Sequence, residues 1–506
     1  MRLAMHLATR LTRPLLLASL LAAPGCQRAR PPVQPIVLGE EAAGRTFQTR
    51  SLEEEARQAI TRRYTQRERR FREAWEPGSM WRGLRVEQAD INSGRVTLPQ
   101  LIDIGRELFR NDFTPVHGLG NGLGSRKSPL AGGRAAPNLR HIHYKTFGGP
   151  DGTRCAGCHH VGGLGGAGFS ADNSDLDGDG VHASTGLPRN PRALFGAAII
   201  QRLAEEMTAE LQSQYLQAKK TIPRGGSMPL LAKGVQFGKL AMSPDGRLDI
   251  TGVRGVSLDL VVRPFGWKGT TATLRQAVIE GLQLNLGVQA EELVKGPGAM
   301  PLGDGPPDDP DADGVTREAT EGMVTALVAY LTSLPPPVEE VPTEASFSMR
   351  IGRGAKLFAD LGCAGCHTPE LPLGDTVISL GPTATSRPRV DLAPLLSSIE
   401  KGQRQAVVRL YSDLRRHNMG DPLKEAHGYR GVPPAQFLTP PLWGVSASGP
   451  YMHDGRAGSL DAAIRAHAGE AEPAKKAYEK LSMEEGGWLR MFLLSLNQPS
   501  HLEFKP

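Results

Sequence analysis

The pentapeptide Cys-Ala-Gly-Cys-His occurs twice in this chain, at residues 155–159 and again at residues 363–367. The two copies contain four of the five cysteines, and the fifth is Cys26. C-x-x-C-H is the attachment motif of c-type haem. Its two thiols can bond the two vinyl groups of one porphyrin, and the histidine that follows can bind the iron. The sequence therefore predicts two covalent haems, attached through Cys155, Cys158, Cys363 and Cys366 and ligated by His159 and His367.

Two other chemistries also use paired cysteines. A zinc ribbon places its two Cys pairs about 15–20 residues apart, whereas about two hundred residues separate these pairs. A thiol–disulfide redox pair needs C-x-x-C but has no use for the histidine that follows it. Haem attachment is the interpretation that uses every fixed residue of the motif.

The N-terminus agrees with a cofactor that is attached outside the cytoplasm. Three arginines within residues 1–13 precede a short apolar run, then small residues, then Cys26. The run is too short to span a bilayer and is typical of a secretory signal, here residues 1–25. Cys26 follows Ala-Ala-Pro-Gly and resembles the acylated cysteine of a lipoprotein, although Ala23 stands where leucine is usual. The alternative is an ordinary signal peptide with a leftover cysteine. We expect the protein in the periplasm or cell envelope, with a lipid anchor as its only membrane contact.

The charge of the chain does not point to nucleic acid. The formal net charge is +6, and the most basic stretch, residues 57–75, is interleaved with glutamates. That spacing predicts a solvated surface helix. We therefore expect no nucleic-acid partner.

The chain divides at two proline-rich stretches. Residues 26–98 read as a tether and a charged helical extension, and residues 335–346 as a linker. Residues 99–334 and 347–506 each have "G-x-x-LF" before the C-x-x-C-H motif and an apolar helical pattern at the end. This order is typical of a cytochrome c domain. The sequence predicts a mainly α fold of two such domains with long irregular loops, the first enlarged by insertions.

A second internal repeat relates "FGWKGTTATLRQAV" (265–278) to "YMHDGRAGSLDAAI" (451–464), with Trp267 matching His453. In each copy a glycine-containing turn leads into an amphipathic helix. In the second copy His467 falls on the apolar face of that helix, and Ser459 is a natural N-cap. A histidine there can be a core residue or the sixth ligand of the second haem.

Several segments together resemble the di-haem oxidoreductase family, a branch of the bacterial cytochrome c peroxidase and MauG superfamily. The similarity covers roughly residues 100–500. It is carried by "RNPRALFGAAI" (189–199), "RPFGWKGTTATLRQ" (263–276), "LFADLGCAGCHTPEL" (357–371), "YSDLRRHNMG" (411–420) and the run at 438–471. The resemblance implies two cytochrome c domains with unequal haems. One haem takes in electrons, and the other binds peroxide or a related oxidant.

The resemblance also assigns roles to individual residues. His467, fourteen residues after His453, stands where the family places the sixth ligand of the second haem. The same register in the first repeat reaches Gly281, which cannot ligate, so the first haem would be open there. His182 would take the place of a removable sixth ligand of the first haem, or it is a plain loop residue. Trp267 occupies the place of the tryptophan that bridges the two haems.

Two further expectations concern a cation and a proton. The superfamily holds calcium between its domains, and the matching positions here are Asn190, Ser448 and Pro450. Peroxidases place a glutamate above the peroxide haem as a general acid/base, but the matching position falls near Asn285 and Leu286. Other carboxylates could substitute, and the candidates are Glu205, Glu206 and Glu280.

Three functions remain open on the sequence. The first is a di-haem peroxidase-like oxidoreductase, with hydrogen peroxide as the favoured oxidant and a small redox protein or a quinol-linked donor as electron source. The second is a lipid-tethered electron carrier without its own catalysis. The third is MauG-like or oxygenase-type oxidation of an organic or protein substrate.

Overall fold

The protein is described here by a computed structural model that covers residues 83–119, 152–169, 187–295, 306–310, 314–383, 386–396 and 406–497. It also gives the backbone of three short strands at 141–143, 146–147 and 175–176. Every residue described lies in one compact unit, Pro77–Pro506. Cys26, the basic stretch 57–75 and His182 lie outside the described residues.

Helices supply most of the regular structure. In chain order they are α1 (Gln88–Asn92), α2 (Leu98–Arg110), α3 (Cys155–Cys158), α4 (Ala197–Thr221), α5 (Leu274–Gly281), α6 (Glu291–Lys295), α7 (Glu321–Thr332), α8 (Ala345–Asp360), α9 (Leu460–Ala466), α10 (Glu472–Tyr478) and α11 (Met483–Ser495). A π-helical turn at Leu282–Leu286 follows α5 directly. No helix in the described ranges is both long enough and apolar enough to cross a lipid bilayer.

The strands are short and pair antiparallel in small sheets. They are β1 (His141–His143), β2 (Thr146–Phe147), β3 (Asp175–Leu176), β4 (Leu187–Pro188), β5 (Ser227–Ala232), β6 (Val235–Met242), β7 (Leu248–Asp249), β8 (Val338–Glu339), β9 (Leu371–Leu373), β10 (Val377–Ser379), β11 (Arg389–Asp391), β12 (Ala406–Val408), β13 (Arg416–Asn418), β14 (Gln436–Leu438) and β15 (Leu496–Asn497). The sheet orders are β2-β1-β3-β4, β5-β6-β7, β10-β11, β12-β9, β13-β14 and β15-β8. They pair within the segments that connect the helices, and in the described part of the chain they do not form a central sheet.

In the first half, α2 packs against α7, whose residues Gly322–Thr332 are all buried. The two helices touch at Gly105, where a Cβ atom would overlap the backbone carbonyl of Ala326. Phe109, one turn further along α2, lies 5.2 Å from Tyr330 and 6.4 Å from His159 between ring centroids. The crossing therefore places an aromatic pair next to the first C-x-x-C-H histidine.

The second half repeats this arrangement with α8 and α11. A Cβ atom on Gly354 would overlap the carbonyl of Trp488. Phe358 lies 5.3 Å from Phe492 and 6.4 Å from His367 between ring centroids. The "G-x-x-LF" repeat thus has one physical meaning in both halves: glycine permits the helices to cross closely, and phenylalanine packs beside the histidine.

The enlargement of the first half contains regular structure. Helix α4 is 25 residues long and is followed by the β5–β6 hairpin, which turns at Lys233 and Gly234. Buried residues alternate along β6 because one face of the hairpin packs into the main core. The proline-rich segment 335–346 also carries a strand, β8, which pairs with β15 at the end of α11.

The close helix crossing predicts opposite effects for two glycines of α8. Gly354→Ala should lower the free energy of unfolding by about 1–3 kcal/mol, the usual cost of overpacking, because α11 has to move. Gly352 is the matched control, since it is exposed and a Cβ there meets nothing within 4 Å. Gly352→Ala should be neutral or stabilising by up to about 1 kcal/mol. Thermal unfolding followed by circular dichroism tests this, and equal midpoints for the two variants would contradict the packing described.

Candidate haem sites

The second C-x-x-C-H motif opens into an apolar cavity of about 370 Å³. Cys363, Cys366 and His367 line it from one side, and residues of α9 together with His467 line it from another. Ser459 caps α9, as the sequence predicts, by accepting a hydrogen bond from the Ala462 backbone N–H. The predicted apolar face of Leu460, Ala463, Ile464 and His467 therefore faces the cavity, with His467 as the residue that ends the helix.

His367 and His467 face each other across this cavity. Their ring centroids are 6.4 Å apart, and the ring planes are inclined by 62°. A metal–nitrogen bond of about 2 Å puts a ring centroid roughly 3 Å from the metal, so two imidazoles on one ion have centroids roughly 6 Å apart. The two residues fit a shared iron.

Each of the three candidate iron ligands is oriented by a backbone carbonyl. Nδ1 of His467 lies 2.8 Å from the Ala463 oxygen, Nδ1 of His367 lies 3.2 Å from the Tyr411 oxygen, and Nδ1 of His159 lies 3.3 Å from the Gly166 oxygen. Such a bond fixes the tautomer and leaves Nε2 with its lone pair for a metal. Burial lowers the pKa of all three histidines, that of His367 to about 4, so the rings are neutral.

The four motif cysteines are free thiols. Burial raises the pKa of Cys155 to about 12 and that of Cys363 to about 11. Redox-active C-x-x-C pairs depend instead on a lowered thiol pKa. Among the potential metal ligands of the described residues, the two cysteine pairs do not come together in one cluster. The geometry supports neither a redox pair nor a zinc ribbon, and the free thiols in these positions correspond to the sulfurs that would become thioethers.

The two glycine-turn repeats have the same isolated bridge and the same kind of N-cap. Phe265 bridges Thr271 as Tyr451 bridges Ala457, and Thr273 caps α5 as Ser459 caps α9. The residue that corresponds to His467 is Gly281, at the end of α5. A Cβ atom on Gly281 would meet nothing within 4 Å. At this position the first half therefore has no ligand that corresponds to His467, and there is open space where a side chain would begin.

One short segment connects the two halves. Trp267 lines the cavity and donates from Nε1 to the Asn190 carbonyl at 2.7 Å. The Arg192 guanidinium lies over the Trp267 ring at 5.5 Å, and the Arg192 backbone also hydrogen-bonds His159. Trp267 and residues 190–192 thus lie between the first motif histidine and the second cavity.

Lys268 holds this tryptophan segment in place. Its side chain is 1% exposed, and its Nζ donates to the carbonyls of Pro433 and Pro434 at 2.8 and 2.9 Å. It also pairs with Glu425 at 3.2 Å, while burial lowers the pKa of Lys268 to about 8. Removing one member of such a buried pair would leave the other charge uncompensated, which is strongly unfavourable. The pair therefore keeps the tryptophan segment in place.

The structure brings together two of the three candidate calcium ligands. The Asn190 amide donates from Nδ2 to the Pro450 carbonyl at 2.6 Å, and the Asn190 Oδ1 atom is buried without a partner. Ser448 lines the same cavity, and its hydroxyl donates to the Val445 carbonyl. A cation between Asn190 and Pro450 would need the amide turned over, so that two oxygens face it.

The candidate substitutes for the peroxidase glutamate are all engaged elsewhere. Glu205 pairs with Arg202, Glu206 with Lys233 at 2.5 Å, and Glu280 with Arg430 at 2.6 Å. The π-helical turn after α5 instead holds Gln283, which is 3% exposed and has neither amide atom hydrogen-bonded. Sequence reasoning missed Gln283 because nothing in the pattern separates it from a solvated glutamine.

A second missed feature is His417 with its two carboxylates, Asp413 and Glu470. His417 lies in the "YSDLRRHNMG" segment and lines the cavity. Burial by itself would lower the pKa of His417, but hydrogen bonds, that to Asp413 first, raise it to about 10. The i, i+4 spacing of Asp413 and His417 was a signal, yet this stretch is not helical, since His417 lies in β13 and Asp413 precedes that strand, and Glu470 comes from a distant 3₁₀ turn.

These features define a haem-protein fold with two related helix pairs. Residues 260–496 match the family described as "Di-haem oxidoreductase, putative peroxidase". This part of the chain resembles that family, and the match supports haem as the cofactor and oxidoreductase chemistry as the class.

Among solved structures the chain is similar to the hydrazine synthase of Kuenenia stuttgartiensis pressurised with xenon. The identity is 15%, the match covers 78% of this chain and 87% of that chain, and the TM-score is 0.34. It is also similar to a MauG-like protein associated with microbial copper homeostasis, with 16% identity, 60% of this chain, 89% of that chain and a TM-score of 0.26. No curated protein sequence matches this chain.

Proposed function

We propose that the protein is an exported di-haem c-type oxidoreductase that reduces hydrogen peroxide with electrons from a redox partner. The observation that carries this proposal is the asymmetry of the two repeats. The second half presents two facing histidines, His367 and His467, whereas the position in the first half that corresponds to His467 is Gly281, with open space beside it.

Bound haem would supply the redox chemistry, by taking in electrons at the second site and passing two of them, with two protons, to peroxide at the first. His367 and His467 would hold the haem iron at the second site. Bis-imidazole ligation favours a lower potential than His/Met ligation, because methionine raises haem potential. A low-potential protein or a quinol-linked carrier is therefore the matching donor.

At the first site, His159 would hold the haem iron, and Phe109 packs beside it. Gly281 would leave the opposite position accessible to a small oxidant. His182 stays a proposed removable ligand. Trp267, held by a hydrogen bond to the Asn190 carbonyl and by the neighbouring Lys268, would bridge the sites. Calcium at Asn190, Ser448 and Pro450 would fix the same segment.

Steady-state turnover tests the function. Mature protein carrying both haems should oxidise a reduced low-potential cytochrome in the presence of hydrogen peroxide, and the ferric spectrum should contain one high-spin and one low-spin haem. Two low-spin haems without turnover would identify an electron carrier. A high-spin haem that consumes peroxide only with an organic or protein substrate would identify a MauG-like or oxygenase-type enzyme.

We also propose that Cys26 anchors the exported chain to the membrane by acylation. Cys26→Ser should then move the protein from the membrane fraction to the soluble periplasmic fraction, or stop the signal from being processed. Unchanged membrane retention of the variant would contradict the lipid anchor.

A further inference from the structure

His417 lies between two carboxylates at the edge of the second site. Its Nε2 is 2.8 Å from Asp413 Oδ2, and its Nδ1 is 2.8 Å from Glu470 Oε2. An ionised carboxylate accepts hydrogen bonds and donates none, so both ring nitrogens have to donate. Only the doubly protonated imidazolium does this. The group therefore holds one positive charge between two negative charges, and its net charge is −1.

This carboxylate–histidine triad (Asp413, His417 and Glu470) touches the residue that would carry the second haem. His417 Nδ1 lies 3.7 Å from Cys366 Sγ, and the Asp413 backbone N–H donates to the Cys366 carbonyl at 2.9 Å. Asp413 and His417 are 1% and 5% exposed, whereas the Glu470 side chain is 51% exposed and lines the cavity. Water and salt screen the two buried charges poorly and the Glu470 charge more strongly, so the buried pair acts on a neighbouring redox group more strongly than surface charges do.

The same atoms do not suit a metal ion. Cys366, Asp413 and His417 are close enough to one another to hold one. An imidazolium, however, has no lone pair for a metal, and a sulfur bonded to porphyrin is a thioether rather than a thiolate. The charge arrangement is therefore better explained as a fixed electrostatic field.

We propose that the carboxylate–histidine triad sets the reduction potential of the second haem, with each member displacing it according to the sign of its charge. The inference rests on the proposed haem at Cys366. The triad binds neither substrate nor iron, and it acts through the field at the edge of the porphyrin. Glu470 and Asp413 favour the oxidised state, and His417 opposes them.

Charge-neutralising variants of the di-haem protein test this in a spectroelectrochemical titration. Glu470→Gln keeps a side chain that can accept from the Asn418 backbone N–H, as Glu470 does at 2.8 Å, but it removes a negative charge. The potential of the low-spin haem should rise. His417→Gln retains an amide N–H for Asp413 but removes the positive charge, and the potential should fall. Glu472→Gln is the matched control, because Glu472 pairs with Lys475 and Lys476 and does not line the cavity.

Opposite displacements in Glu470→Gln and His417→Gln, with no displacement in Glu472→Gln, would support the inference. A purely structural role predicts changes of the same sign, or none, and either result would overturn it. If His417→Gln does not fold, a rise in Glu470→Gln that Glu472→Gln lacks supports the inference, and its absence overturns it. If the unmutated protein lacks the second haem, the proposed function itself is wrong. The haem content of each sample distinguishes this outcome from failure of the inference.

Discussion

A His467→Gly variant should open the second iron to external ligands. His467 ends α9 with its ring 6.4 Å from that of His367, and its Nδ1 is fixed by the Ala463 carbonyl. Without the imidazole, His367 alone remains to bind the iron, and the cavity is open where His467 was. We expect the low-spin signal of this haem to be lost and cyanide or added imidazole to bind, whereas the unmutated protein binds neither at this haem. Optical and electron paramagnetic resonance spectra measure both.

Met419 provides the control for this variant, because it lines the same cavity and a methionine thioether can also ligate haem iron. Met419→Leu should leave the low-spin spectrum unchanged, and His467→Met should raise the potential of the second haem. An unaltered spectrum in His467→Gly, combined with loss of the low-spin signal in Met419→Leu, would show that His467 is a core residue.

A Gly281→His variant should have the opposite effect at the first site, because it should close the first iron to external ligands. Gly281 has ordinary helical backbone angles, φ −64° and ψ −42°, and open space where its Cβ would be. The repeat places it at the position of His467, so an imidazole there should reach the first iron. Catalytic metal sites need an open coordination position. The high-spin signal should therefore disappear, and peroxide turnover should fall to background.

Gly281→Ala is the matched control, since it adds a Cβ atom without a ligand. It should keep both the high-spin signal and turnover. If Gly281→His folds, carries two haems and still turns over peroxide at the unmutated rate, the oxidant does not bind on the side of the first haem that the repeat predicts.

The helical skeleton could be predicted from sequence because its signals are local. The "G-x-x-LF" segments, the closing apolar helices and the Ser459 cap each depend on side chains a few positions apart. The β5–β6 hairpin was missed, although Lys233-Gly234 is a turn signal between residues that alternate in burial. A short hairpin takes its stability from the core on which it packs, and sequence spacing does not show that core.

The candidate site was predictable where a repeat or a motif fixes the position. The motif gave His367, and the repeat together with the family resemblance gave His467 and Trp267. The structure places His467 opposite His367, and the roles of these residues stay predictions. The carboxylate–histidine triad and Gln283 could not be predicted, because their character comes from burial and from contacts between distant segments. Glu470 is 53 residues beyond His417, for example, and only the fold brings them together.

The central claim is that this chain holds two covalent haems, and the haem content of the mature protein tests it most directly. A pyridine haemochrome assay, combined with the intact mass after acid–acetone extraction, gives the number of haems that remain bound to each chain. We predict two haems for the unmutated protein and one each for Cys158→Ala and Cys366→Ala. One haem per unmutated chain, or haem that acid–acetone removes, would contradict the account.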